Sequence, residues 1–184
     1  MNPDVIVIGC GNAALCAALA AREGGASVLV LEKAPEHERG GNSFFTAGGF
    51  RFAHEGLADL RRDILTDLSD EEAAAIEVPP YPESQFRDDL LRVTEGLTDT
   101  DLSEHLIRRS RATVAWMRER GLRWILMHGR QSYQVGGKHR FWGGLNVEAV
   151  GGGPGLVQML LDRAEAAGIE VRYSHAAHRL LQDD

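Results

Sequence analysis

The first residues that could do chemistry are glycines and alanines with the spacing G-x-G-x-x-A near the start of the chain. Gly9 would allow a tight turn at the end of a strand, and Gly11 would leave the backbone bare for close approach by a phosphate. Ala14 is small enough for a helix to pack against that strand. The backbone N–H groups of Asn12 and Ala13 would then lie at a helix start, where anions bind. The pattern therefore predicts a dinucleotide site.

An acidic residue follows at the distance that such a site requires. Glu32 lies 21 residues after Gly11 and ends a second apolar run, where a carboxylate would accept hydrogen bonds from the adenosine ribose. A 2′-phosphate would be repelled at this place, which disfavours NADP. The alternative interpretations are a surface carboxylate at Glu32 and a glycine turn in some other α/β protein.

A second glycine cluster bears on the choice of cofactor. Gly40-Gly41-Asn42-Ser43 and Gly48-Gly49 follow the ribose-binding acid closely. Successive glycines turn backbone N–H groups inward to form an anion-binding concavity, and Asn42 and Ser43 add side-chain hydrogen bonds. An NAD dehydrogenase does not need this second cradle, whereas the longer FAD molecule does. The sequence therefore favours FAD; a flexible loop and an NAD-dependent dehydrogenase are the weaker alternatives.

The elements that would position these residues form a βαβ unit. Residues 4–8 and 27–31 are short runs of β-branched and apolar residues, typical of parallel strands buried on both faces. Residues 13–22 are rich in alanine and leucine and are followed by Gly24-Gly25, as a helix end often is. The predicted fold class is α/β, a Rossmann-like FAD/NAD(P)-binding domain with a parallel central sheet.

The rest of the chain alternates helical and glycine-rich segments. Residues 35–56 predict an irregular binding loop, and helical pieces are expected on both sides of the prolines at 79–82. A longer helix is predicted at about 101–120, with an apolar face formed by Leu102, Leu106, Val114 and Met117. The later segments predict a strand at 122–127, few periodic signals at 129–153, a helix at 154–167 and a strand at 169–173.

Composition and charge exclude several classes of function. A length of 184 residues with 43% hydrophobic and 26% charged residues suits about one globular domain. The net charge of −7, without a basic block, argues against a nucleic-acid partner. No apolar run approaches the roughly 18 residues of a transmembrane segment, and the start lacks a signal-peptide pattern, which predicts a cytoplasmic protein. Cys10 and Cys16 match neither a redox motif nor a metal site, so their predicted role is packing.

The order of these motifs resembles the flavoprotein subunits of the fumarate reductase and succinate dehydrogenase family. That family has the glycine fingerprint, a ribose-binding acid with a basic residue (here Glu32 with Lys33), a G-G-N-[ST] segment and a G-G pair. The string from Gly11 to Leu19 looks closest to the FAD-dependent tricarballylate dehydrogenase branch. The resemblance covers essentially the whole chain. It implies an FAD-dependent oxidoreductase that oxidises a small polycarboxylate, tricarballylate to aconitate, and passes electrons to a separate acceptor protein.

The resemblance also assigns parts of the chain. It implies the first part of the FAD-binding domain at residues 1–128, the start of a substrate-capping region at 129–150, and a return to the FAD-binding domain at 151–184. Asn42 stands where succinate dehydrogenases carry the flavin on a histidine, which implies non-covalent FAD. The backbone near Ala177 would hold the adenine.

Family members are much longer than this chain, and their proton-shuttling arginine and substrate clamp would lie beyond residue 184. The resemblance therefore implies an N-terminal fragment, and it leaves the catalytic residues unknown. The alternatives are a non-catalytic flavin-binding fragment and a part of a cobalamin-pathway flavoprotein.

The remaining candidates for chemistry are histidines, a group of cations and the tryptophans. The histidines are expected to be solvated or structurally hydrogen-bonded: His54, His128, His139, His175 and His178. Four basic residues could form a cationic rim that binds a polycarboxylate: Arg130, Lys138, His139 and Arg140. Charged residues in a loop are usually just solvated, so these four are candidates only. Packing rather than flavin stacking is expected for Trp116, Trp124 and Trp142.

Overall fold

A computed structural model describes residues 2–182 of the chain. Its strands are β1 (Val5–Ile8), β2 (Val28–Leu31), β3 (Gly49–Phe50), β4 (Ile76–Glu77), β5 (Trp124–Leu126), β6 (Ser132–Val135), β7 (Lys138–Phe141), β8 (Val147–Ala149) and β9 (Glu170–Arg172). Its helices are α1 (Asn12–Glu23), α2 (Gly41–Phe44), α3 (Leu57–Asp63), α4 (Asp70–Ala74), α5 (Glu83–Val93), α6 (Thr100–Glu119), α7 (His128–Gln131) and α8 (Gly152–Ala166). A short 3-10 turn covers Glu36–Glu38.

The chain divides into two compact units. The first contains the residues up to Gly48 and those from Gly151 onward, and the second contains Gly49–Val150. The return of the chain to the first unit therefore begins at Gly151, the residue before α8. The functional division at residues 128 and 150 stays a prediction, because compactness alone does not say which segment holds a cofactor or a substrate.

The first unit is built on a parallel sheet in the order β1-β2-β9. The strands align with Val7 opposite Val30 and Val30 opposite Val171. Helices α1 and α8 pack against each other, and their buried residues include Leu15 and Leu160. Val30 of β2, the central strand of this sheet, is fully buried. The predicted α/β class with a parallel sheet is confirmed.

The prediction that the strands of this unit are buried on both faces is wrong for β1. The side chains of Ile6 and Ile8 are 54% and 58% exposed. Successive side chains of a strand point to opposite faces, so these two isoleucines share one face. In the described part of the chain that face of β1 has no covering layer.

The second unit contains two small sheets and most of the helices. One sheet is antiparallel in the order β3-β8-β5, and the other has the order β4-β7-β6. Strands β6 and β7 form a hairpin that was not predicted from the sequence. Its two-residue turn is Gly136-Gly137, with φ of 58° and 78°. A two-residue turn whose twist matches that of the flanking strands requires a positive φ at both positions. Glycine adopts a positive φ without strain.

The predicted apolar face of α6 is half wrong. Val114 and Met117 are buried as expected, but Leu102 and Leu106 are 70% and 48% exposed. The helix packs on α5 and α3, and its buried face includes Ile107. At 3.6 residues per turn, Leu106 lies roughly 100° and Leu102 roughly 140° around the axis from Ile107. The apolar residues of this helix therefore occupy more than one face, and the helices that pack against it determine which face is buried.

The loop predicted at residues 35–56 is more regular than expected. It contains the 3-10 turn, the short helix α2 and the strand β3. Gly40 and Gly41 have φ of 100° and 51°, and these left-handed residues turn the chain sharply into α2. None of the helices within residues 2–182 combines the length and the apolar character that crossing a bilayer requires.

Candidate cofactor site

The first glycine of the fingerprint makes the turn that the sequence predicts. Gly9 has φ of 102°, a conformation that favours glycine, and follows directly after β1. Its N–H donates a hydrogen bond of 2.7 Å to the carbonyl of Leu31 at the end of β2. A side chain on Gly9 would lie 3.9 Å from the Cβ of Ala14, so the small residue at position 14 packs against the turn.

Helix α1 begins immediately after Gly11 and presents open backbone donors. The N–H of Asn12 donates to the hydroxyl oxygen of Ser43 at 3.0 Å. The N–H groups of Ala13 and Ala14 have no acceptor in the described part of the chain. Unpaired N–H groups at a helix start carry partial positive charge and bind phosphate oxygens. These two amides are therefore available to a pyrophosphate.

The second glycine cluster lies against the first. A side chain on Gly11 would come within 3.3 Å of both the carbonyl oxygen of Gly40 and the hydroxyl oxygen of Ser43. Gly40 is itself buried, and a side chain there would lie 3.0 Å from Val157 of α8. The folded chain thus brings together two glycine segments that the sequence separates by about 30 residues.

Gly41 and Asn42 form the open side of this arrangement. Both are exposed, and a side chain on Gly41 would have nothing within 4 Å. The hydroxyl of Ser43 accepts the Asn12 N–H, while its own proton has no acceptor among the described residues. The start of α2 therefore offers one hydroxyl donor and bare backbone beside the start of α1.

Gly48 and Gly49 have different structural reasons for being glycine. Gly48 has φ of 70°, and its N–H donates to the Thr46 hydroxyl at 3.0 Å. A side chain on Gly49 would come within 2.7 Å of the Met127 methyl group and 3.2 Å of Leu145. Packing alone explains Gly49, so its predicted contact with the cofactor stays a prediction.

Glu32 lies where a ribose-binding carboxylate is expected, directly after β2. It is 7% exposed, and its Oε1 accepts the Ala34 N–H at 2.8 Å. Its Oε2 has no hydrogen-bond partner within residues 2–182, and this oxygen is accessible to solvent. One carboxylate oxygen is thus fixed by the backbone and the other is open to a ligand hydroxyl. Lys33, next to it, is exposed.

The backbone position predicted to hold adenine is exposed in the structure. Ala177 follows β9 in a segment without regular secondary structure. Its predicted role therefore stays a prediction, whereas the segment just before it, Ser174 and His175, is hydrogen-bonded to Ala34 and Glu32.

Gly153, which the sequence analysis placed just before the predicted helix at 154–167, contributes to the site indirectly. A side chain on Gly153 would lie 2.3 Å from the carbonyl oxygen of Ser43, 2.6 Å from that of Thr46 and 2.7 Å from that of Phe44. Its N–H donates to the Thr46 carbonyl at 3.0 Å. The first turn of α8 therefore fits against α2 only because position 153 has no side chain.

The two cysteines are packed thiols. Cys10 is 1% exposed, and burial raises its pKa to about 11, with the Glu32 carboxylate acting in the same direction. Burial likewise raises the pKa of Cys16 to about 11, and its thiol lies 3.6 Å from the side-chain oxygen of Asn12. Neither is ionised near neutral pH, so neither is suited to nucleophilic or redox chemistry.

The histidines and cations of the second unit do not form an evident active site. His54 is 3% exposed, and burial lowers its pKa to about 4, so it is neutral near pH 7. Lys138 and Arg140 each lie 3.9 Å from Glu77. Among the described residues, no group of three or more histidine, cysteine or acidic side chains is arranged to hold a metal.

Two of the tryptophans expected to have a packing role differ in burial. Trp124 is 2% exposed and meets Phe50 edge-on at 5.1 Å. Trp142 is 46% exposed and pairs with Tyr133 at 5.8 Å. Trp124 therefore packs in the core, whereas Trp142 packs against Tyr133 at the surface.

Comparison with known proteins decides the family. A family model described as an FAD binding domain matches residues 4–184. The chain belongs to this family. Its cofactor is FAD, and the residues of the first unit fit that molecule: two open amides, a free hydroxyl proton and bare backbone lie together for phosphates, and the open Glu32 oxygen suits a ribose.

Relatives of this FAD binding domain are oxidoreductases. It is 31% identical over 183 residues to a fumarate reductase (cytochrome) of Shewanella frigidimarina, a match that covers 98% of this chain and 28% of that protein. A flavocytochrome c3 fumarate reductase in an open conformation has 26% identity and a TM-score of 0.61, with 94% of this chain and 26% of that chain covered. A 3-ketosteroid Δ1-dehydrogenase from Sterolibacterium denitrificans shares the fold at 15% identity, with a TM-score of 0.66 over 94% of this chain and 40% of that one. The chain thus spans about a quarter of the fumarate reductases it matches.

Proposed function

We propose that this FAD binding domain holds FAD non-covalently in a dehydrogenase that oxidises a small polycarboxylate, with tricarballylate to aconitate as the first candidate. The observation that carries the proposal is the meeting of the two glycine segments beside an acidic residue with one open oxygen. The order of motifs and the string from Gly11 to Leu19 support the tricarballylate branch.

The chain's own residues would grip the ADP part of the cofactor. The amides of Ala13 and Ala14 would receive the pyrophosphate, with the Ser43 hydroxyl donating a further hydrogen bond. The open oxygen of Glu32 would accept from the ribose hydroxyls. These groups bind and orient, whereas bound FAD supplies the chemistry by accepting a hydride from a carbon beside a carboxylate.

Asn42 supports non-covalent binding. It occupies the position at which the resemblance places a flavin-linking histidine, and an amide side chain forms no such bond. It is also exposed, as a contact residue should be. We expect denaturation in acid to release all flavin from the loaded protein, as measured by absorbance after filtration.

A cytoplasmic location and a separate electron-acceptor protein belong to the same proposal. Cys10 and Cys16 are both free thiols, as is usual in a reducing compartment. The acceptor is implied by the resemblance to the tricarballylate branch, and no described residue is assigned to it.

The test is a titration with FAD of the wild-type chain, Glu32→Ala and the control Glu36→Ala. Loss of a charge-assisted hydrogen bond of about 1.5–3 kcal/mol would weaken binding by roughly ten- to hundredfold in Glu32→Ala. Glu36 is exposed in the neighbouring 3-10 turn, so its removal should leave the affinity unchanged. Equal affinity of all three proteins would refute the assignment of Glu32, and absence of binding would refute cofactor capture by this chain.

The substrate part of the proposal needs a second measurement. A panel of di- and tricarboxylates would be added to the flavin-loaded protein, and bleaching of the flavin absorbance would be followed without oxygen. Reduction by tricarballylate in preference to succinate supports the proposal. Reduction by neither points to the non-catalytic flavin-binding alternative.

A further inference from the structure

Ser174 has an unusual backbone conformation next to the proposed ribose site. Its φ is 57°, and among the described residues it shares a positive φ with only one other non-glycine residue, Glu95 at 52°. Residues with a side chain avoid this left-handed region, and they persist there when the surrounding structure requires it. Ser174 lies two residues after the end of β9.

The left-handed turn lets two consecutive amides bind the same neighbouring segment. The Ser174 N–H donates to the Ala34 carbonyl and the His175 N–H donates to the Glu32 carbonyl, both at 2.9 Å. In a regular strand successive N–H groups point to opposite sides, whereas a left-handed residue makes them converge. The turn at Ser174 therefore binds the chain after β9 to the segment after β2.

These hydrogen bonds hold the proposed ribose-binding carboxylate from both directions. The Glu32 N–H donates to the Arg172 carbonyl at 2.9 Å, so the backbone of Glu32 is bound on each side. The Ala34 N–H in turn donates to Oε1 of Glu32 at 2.8 Å. Ser174 binds the Ala34 carbonyl and the Ala34 N–H binds the carboxylate, so the geometry at Ser174 reaches the Glu32 side chain through one residue, Ala34.

We propose that Ser174 is a positioning residue, whose left-handed backbone orients the Glu32 carboxylate toward the ribose of the cofactor. This inference rests on the proposed function, in which Glu32 binds that ribose. It assigns a role in cofactor recognition to a residue that follows Glu32 by more than a hundred positions.

The probe is ADP, which contains the ribose and the pyrophosphate but no flavin. Isothermal titration would compare the wild-type chain with Ser174→Val and Ser174→Gly. A β-branched residue resists the left-handed region, so Ser174→Val should bind ADP about tenfold more weakly than wild type. This is only a part of the loss of affinity expected when the Glu32 contact itself is removed. Glycine adopts that conformation freely, so Ser174→Gly should bind within about twofold of wild type.

Glu95 provides the matched control. Glu95→Val places the same side chain at a similar φ in the second unit, so it carries a comparable backbone penalty. Its ADP affinity should equal that of the wild type. Circular dichroism would check that each variant folds, and Ser174→Ala would replace Ser174→Val if the latter does not.

A double-mutant cycle with Glu32→Gln separates positioning from general stabilisation. If Ser174 acts through Glu32, Ser174→Val should cause no further loss of ADP affinity in the Glu32→Gln background. An equal loss in both backgrounds, or no loss in either, would overturn the inference. If Glu32→Gln binds ADP as tightly as wild type, the proposed function of Glu32 is itself refuted.

Discussion

Substitution of Gly153 by alanine tests whether the fit between α8 and α2 shapes the cofactor site. The new methyl group would lie 2.3 Å from the nearest of three backbone oxygens, whereas real contacts of this kind stay beyond 3.0 Å. Helix α2 must therefore retreat by about 0.7 Å. Overpacking costs about 1–3 kcal/mol, and three backbone oxygens place this change at the upper end.

The helical preference of alanine over glycine offsets at most about 1 kcal/mol of that cost. A net loss of about 2 kcal/mol in the free energy of unfolding should lower Tm by roughly 4–8 °C in a protein of this size. The retreat would also move Ser43 away from the start of α1, so FAD affinity should fall by about tenfold.

Differential scanning calorimetry and FAD titration would measure the two effects. The control is Gly129→Ala in α7, where a side chain would have nothing within 4 Å. Alanine at that exposed helical position should leave Tm unchanged or raise it slightly. A Gly153→Ala protein with the Tm and FAD affinity of the wild type would refute the packing argument.

Three further predictions concern single groups. Ser43→Ala removes the acceptor of the Asn12 N–H, so urea unfolding should show a loss of about 1 kcal/mol and FAD should bind more weakly; unchanged values would contradict a role for this hydrogen bond. His54 has a folded pKa of about 4 against an ordinary value of 6.5, so stability should be full above pH 6.5 and fall by at most about 3 kcal/mol toward pH 4. Urea titrations should show about 2 kcal/mol of that loss between pH 7 and pH 5 in wild type, and not in His54→Gln. With pKa values of about 11, Cys10 and Cys16 should react with a disulfide reagent slowly in the native protein at pH 8 and quickly after unfolding.

The parts of the site that depend on local rules were predictable from the sequence. The turn at Gly9, the start of α1 and the position of Glu32 follow from one βαβ unit, whose geometry is set within about 30 residues. The hairpin around Gly136-Gly137 was equally local and was missed, although two glycines between strand-like residues are a known turn signal.

The parts that depend on distant packing were not predictable. The sequence around Gly153 does not indicate the three carbonyl oxygens that a side chain at this position would meet. Gly49 was assigned to a phosphate cradle, yet the methyl group of Met127 also explains it. The hydrogen bonds from Ser174 and His175 to the Glu32 segment join residues whose pairing depends on the placement of β9 beside β2.

The exposed face of β1 shows why an apolar pattern predicts a strand better than it predicts burial. A continuous run of valine and isoleucine is typical of a parallel strand covered on both faces. In this chain α1 and α8 supply one layer, and Ile6 and Ile8 point to the face where the described residues supply none. The apolar pattern therefore indicated the parallel sheet correctly and overestimated the burial of β1 among residues 2–182.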